Sequence, residues 1–141
     1  MKVLVSACLL GENCKYNGGN NHSGAVAEFV RGKEILPICP ELMAGMGCPR
    51  TPIEIVDGVL TDRDGKNVDA AMRAAVEMAM KQISSEEIQC VVLQSRSPTC
   101  GVNQVYDGSF SGKLIPGAGI FAQALKEAGY RVIDAEDVGK E

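Results

Sequence analysis

The strongest constraint on the fold is an apolar spacing of three and four residues, kept from Val68 through Ala71, Met72, Ala75, Val76, Ala79 and Met80 to Ile83. That period predicts an amphipathic helix over 67–83 with one buried face. Arg73, Glu77 and Lys81 recur at intervals of four on the opposite face and read as a solvated ladder. Met72, Met78 and Met80 read as core filler. Short runs rich in Val, Ile and Leu stand on either side: 2–7, Glu34–Ile38, Ile88–Leu93 and 131–133 each read as a strand. Ser23 caps a short helix carrying Val26, Phe29 and Val30, and 118–128 reads as a second helix stopped by Gly129. Ile53–Val56 and 59–61 flank Asp57-Gly58, a type I′ hairpin signal. The stretch 94–117, rich in Ser, Gly and Pro, reads as one long loop.

Strands alternating with helices imply an α/β fold: a compact Rossmann-like parallel sheet with helices on both faces and a small hairpin insertion. The 141 residues show neither repeat nor linker and are expected to form a single domain, 1–141. At 45% hydrophobic and 23% charged, the composition is that of a globular chain that needs no disulfides. A net charge of −4 provides no broad basic field for nucleic acid or anionic lipid. The longest apolar runs, such as Val91-Val92-Leu93, are too short to span a bilayer, and Lys2 leads directly into Val3-Leu4-Val5 without a secretory signal pattern. A cytoplasmic, reducing location is expected. Six cysteines are many for such a chain, and there they point to metal binding or catalysis rather than to a disulfide framework.

Three cysteines share an address. Cys8 follows the first strand, Cys39 ends the second, and Cys100 lies in the loop after Ile88–Leu93. Open α/β sheets bind ligands beyond the carboxyl ends of their strands, so these distant thiols can converge on one crevice. Three thiolates leave one coordination position open and favour zinc, Cu(I) or an iron–sulfur cluster; zinc usually recruits a histidine or fourth cysteine, and the one histidine is His22 in an Asn-rich loop. Each cysteine also has a plain reading as a small buried hydrophobe, Cys90 above all because it sits inside a strand. Cys14 and Cys48 read as incidental thiols, with a role as spare ligand or persulfide carrier left open. Glu41, two positions after Cys39, is a candidate general base, and Ser97, three before Cys100, a candidate proton relay. A solvated loop acid and a turn serine are their plain alternatives. Lys15, Tyr16, Arg50 and Arg96 are loop residues suited to orienting an anionic or aromatic substrate, and equally to ordinary surface. Gly117-Ala118-Gly119 before a helix has a faint likeness to a phosphate cradle, without a full fingerprint.

The strings themselves resemble one family. Ser6-Ala7-Cys8-Leu9-Leu10-Gly11, Tyr16-Asn17-Gly18-Gly19, Cys39-Pro40-Glu41, Pro49-Arg50-Thr51-Pro52, Ser97-Pro98-Thr99-Cys100-Gly101 and Tyr106-Asp107-Gly108-Ser109-Phe110-Ser111-Gly112 are jointly similar to the thiouracil desulfidases, formerly domain of unknown function number 523. The likeness runs from about residue 1 to 133. Ala44 stands where Gly is usual, Cys48 where Thr is expected, Thr99 where Ser is commoner and Asn17 in place of a frequent Asp. None of these removes a ligand, while Ala44 and Cys48 bear on the pocket.

The resemblance implies a 4Fe-4S cluster whose metal ligands are Cys8, Cys39 and Cys100, with the fourth iron open. It implies a non-redox desulfuration of a thiolated pyrimidine, of the 2-thiouracil type, to the oxo base plus hydrosulfide. Glu41 and Ser97 take the catalytic places. The expected partner is a small thiolated base or nucleoside; thiolated tRNA fits less well, because mild acidity offers no large RNA footprint. Two readings of other kinds compete. One is a cluster-free enzyme passing sulfur through a cysteine persulfide, which needs a single essential thiol. The other is a non-enzymatic iron–sulfur sensor or sulfur-trafficking module, which needs neither an acid nor a relay beside its cluster. Oligomeric state is not legible in the chain.

Overall fold

Strands with apolar side chains on both sides of the backbone need cover on both faces, and this chain provides it with a four-stranded parallel sheet. The computed structural model describes residues 2–11, 22–45 and 51–138, apart from the side chains of Glu41 and Leu42. β1 (Lys2–Ser6), β2 (Glu34–Ile38), β5 (Ile88–Leu93) and β8 (Val132–Asp134) lie side by side in the order β2-β1-β5-β8. Lys2 stands opposite Glu34 and Ser6 opposite Ile38 in one pair; Val91 stands opposite Val132 and Leu93 opposite Asp134 in another.

Side-chain alternation divides the core. Leu4, Val91 and Leu93 point to one face, under Val76, Ala79 and Ile83 of α3 (Asp69–Ile83) and Phe121, Ala122 and Leu125 of α4 (Ile120–Glu127). Val3, Val5, Cys90 and Val92 point to the other, against Leu9 and against Val26 of α1 (Gly24–Phe29). No helix among the described residues is long and apolar enough to cross a membrane.

Local signals produced the expected elements where their chemistry is short-ranged. The Ser23 hydroxyl accepts the Val26 N–H at 3.2 Å and opens α1. Asp57 and Gly58 both have positive φ, 50° and 79°, as a type I′ turn between β3 (Ile53–Val56) and β4 (Val59–Asp62) requires. Asp69 ties the start of α3 to β4, accepting the Leu60 N–H at 3.1 Å and the Arg73 Nε–H at 2.8 Å. Partial burial pushes its carboxyl up, but these two donors outweigh that and hold it below the ordinary carboxylate range.

Two expectations need correction. Met78 is 57% exposed and belongs to the outer face of α3, since the buried stripe runs Met72, Ala75, Val76, Ala79, Ile83. Ala71 is exposed for the same reason. The stretch 94–117 is not a single loop: β6 (Gln104–Tyr106) and β7 (Leu114–Pro116) pair antiparallel within it, Val105 opposite Ile115.

Candidate active site

The chain leaves β1 to build β2 on one side, then crosses back to place β5 on the other. Its winding therefore reverses at β1, and a crevice opens beyond the carboxyl ends of β1 and β5. The Ser6 hydroxyl, at the end of β1, accepts the Gln94 N–H just past β5 at 3.0 Å and pins the floor of that crevice. Beyond it lies a cavity of about 1040 Å³.

Cys8, Cys39 and Cys100 all line this cavity. Cys8 sits in a 3-10 turn, Ala7–Leu10, that follows β1 directly, and it is half-buried. Cys39, also half-buried, joins β2 to α2 (Pro40–Met43). Cys100 is 7% exposed, in the turn after β5. None of the three is in a disulfide. Among the described residues no three His, Cys, Asp or Glu side chains are gathered tightly enough to hold a single metal ion. A cluster taking one thiolate per iron asks for a wider spacing, and a soft three-sulfur donor set suits it. Cys90 is 1% exposed inside β5, facing Val3 and Val5, and is a core residue as its flanks suggested. Cys14, Cys48, Lys15, Tyr16 and Arg50 lie outside the described residues.

Ser97 lines the same cavity. Its hydroxyl oxygen accepts the Thr99 and Cys100 N–H groups, both at 3.1 Å, so the serine shapes the turn that carries the cysteine. With its oxygen occupied by two donors, the hydroxyl keeps its own proton to give. Glu41 is the second residue of α2, two positions past Cys39, and its side chain lies outside the described part of the structure. His22 is exposed and borders the cavity. Arg96, at φ 65°, borders it too and pairs with Glu136 at 2.8 Å, so its guanidinium is already matched by a carboxylate.

The Cys100 turn is held from behind by α4. The Thr99 carbonyl accepts the Phe121 N–H at 2.9 Å, and the Gly119 N–H donates to the Gly101 carbonyl at 2.8 Å. The backbones meet so closely that a Cβ on Gly119 would stand 2.4 Å from the Thr99 carbonyl carbon. Gly119 therefore serves close packing, not a phosphate cradle. Gly119→Ala is expected to push the turn off α4, lowering stability by about 1–3 kcal/mol. A thermal melt checks the loss, and an unchanged melting temperature would show that the turn yields freely.

Glu54 was not singled out by its sequence. A lone carboxylate alternating with Ile53 and Ile55 in a hairpin strand reads as a solvent-facing position. In the folded chain it is 8% exposed, lines the cavity and accepts the Gly108 N–H at 3.0 Å and the Phe110 N–H at 3.2 Å. The pattern lacked one clue, namely that β6 and β7 would cover that face of the hairpin. In the same loop the Ser109 hydroxyl and N–H hold the Asp107 carboxyl below its ordinary range.

Comparison with known proteins agrees with this fold. The profile of the 2-thiouracil desulfurase family matches residues 3–137. The chain is 38% identical to an uncharacterized protein of Bacillus subtilis strain 168, YbbK, over 146 aligned positions covering 96% of this chain and 97% of that one. It superposes on a 4Fe-4S-dependent thiouracil desulfidase, TudS, with a TM-score of 0.90 at 28% identity, covering 99% of this chain and 93% of the other. A parallel sheet with its winding reversal at three thiols, together with a family match over nearly the full length, places the chain in the 2-thiouracil desulfurase family.

Proposed function

We propose that this chain removes sulfur from a thiolated pyrimidine of the 2-thiouracil type, using a 4Fe-4S cluster held by Cys8, Cys39 and Cys100. The supporting observation is that these three thiols, from three different strand ends, line one cavity. Likeness to a 4Fe-4S-dependent thiouracil desulfidase supports the cofactor and the substrate class. When bound, the cluster supplies a thiophilic iron with an open position, a Lewis acid for the carbon–sulfur bond.

The protein supplies proton transfer and orientation. Glu41, two positions after Cys39 in the chain, takes a proton from the water that attacks the thiocarbonyl carbon. Ser97, whose oxygen is engaged by two backbone N–H groups, hands its remaining proton to the departing sulfur and is re-protonated from the Glu41 side. The carbon gains an oxygen and loses a sulfur at constant oxidation state, so thiobase and water give oxo base, hydrosulfide and one proton with no net electron transfer.

The test is product analysis. Anaerobically purified protein given 2-thiouracil should release uracil and sulfide in equal amounts without added reductant. Sulfur retained on a protein cysteine, with no sulfide in solution, would overturn this reading.

A further inference from the structure

We propose that Glu54 is a positioning residue, whose carboxylate clamps the loop after β6 so that Phe110 forms the aromatic wall against which the substrate ring lies. The proposal deepens the desulfidase reading and rests on it for the identity of the ring.

Several observations converge on the clamp. A carboxylate only 8% exposed is costly unless it is well matched, and Glu54 is matched by two backbone donors of one loop, the Gly108 and Phe110 N–H groups. The loop is pressed hard onto the hairpin: a Cβ on Gly108 would lie 2.6 Å from the Ile55 carbonyl oxygen, and Gly108 has φ 93°. Phe110 is itself left-handed at φ 57°, a conformation unfavourable for an aromatic residue outside a structure that enforces it. Its N–H is the group Glu54 binds, so the strained residue and the clamp are the same place. Phe110 and Glu54 both line the cavity that holds the three thiols.

A planar heterocycle gains from an aromatic face on one side, provided that face is fixed before the ring arrives. The chain has three Phe and three Tyr, and the loop brings Tyr106 and Phe110 of these to the cavity. Glu54 therefore acts through Phe110. It accepts hydrogen bonds and exchanges no proton with substrate.

Two variants separate acceptor from acid. Glu54→Gln keeps an oxygen able to accept both N–H groups and removes the charge; Glu54→Ala removes the acceptor. Amide hydrogen exchange in the cluster-loaded protein is expected to accelerate at least about tenfold at Gly108 and Phe110 in Glu54→Ala, with Glu54→Gln close to the parent. The KM for 2-thiouracil should rise about tenfold in Glu54→Ala and in Phe110→Ala with kcat within about threefold, while Glu54→Gln stays within about threefold in both. Should Glu54→Ala fail to fold, Glu54→Gln and Phe110→Ala carry the test. Protected loop amides in Glu54→Gln together with collapsed kcat would overturn the proposal, because the carboxylate would then act in the chemistry. An unchanged KM in Phe110→Ala would overturn it as well. A parent protein that leaves 2-thiouracil intact defeats the desulfidase reading alone, since amide exchange decides the clamp without turnover.

Discussion

Replacing Cys8, Cys39 or Cys100 singly with Ala is expected to abolish both the iron content, about four atoms per loaded chain, and the turnover of 2-thiouracil. The fold should survive each change. Cys8 and Cys39 are half-buried at the ends of strands, and Cys100 lies in a turn that the Ser97 hydroxyl and α4 hold. Cys90→Ala is the matched control. It removes a buried sulfur from β5 at a cost of about 1–2 kcal/mol, and iron loading should stay at the parent level. Iron and sulfide analysis with a visible spectrum, all under anaerobic conditions, reads every variant. Parent-level iron in any of the three strand-end variants would remove that residue from the ligand set. A pattern with one essential cysteine and three dispensable ones would overturn the three-thiol ligand set and leave a single-thiol enzyme.

Replacing Glu41 with Gln should separate chemistry from assembly. The residue stands on α2 directly after the Cys39-Pro40 step and is not one of the three proposed thiol ligands. Iron content is expected to match the parent while kcat falls by about 10²–10⁴, the usual contribution of a positioned general base. Comparing turnover with iron bound, sample by sample, makes the distinction. Turnover within about threefold of the parent would remove Glu41 from the proton path and leave Ser97 or solvent as the source.

The parts of this molecule that were legible in its sequence are those whose physics is local or periodic. Glu34–Ile38 and Ile88–Leu93 are apolar runs of strand length, and they became β2 and β5 with those boundaries. Asp57-Gly58 is a turn that needs two positive φ angles, and both are present. The convergence of Cys8, Cys39 and Cys100 on one cavity followed from topology, because parallel strands deliver their carboxyl ends to the same side. The features that are not legible depend on partners far along the chain. β6 and β7 are three residues each, embedded in Ser and Gly, too short for a periodic signal. Gly119 is required by a backbone met across the α4 junction, and Glu54 by a loop more than fifty positions later. Met78 reads as core by residue type alone, whereas its position in the helical period puts it outside.

The winding of the sheet has a consequence for how such a protein is made. The three thiols of the cavity emerge at the start, the first third and the last third of synthesis, and they become neighbours only when β5 docks beside β1. A nascent chain that ends before β5 lacks that strand and one of the three strand-end thiols, Cys100. Any group held by all three binds the finished sheet and not its precursors, so its affinity adds directly to the folded state.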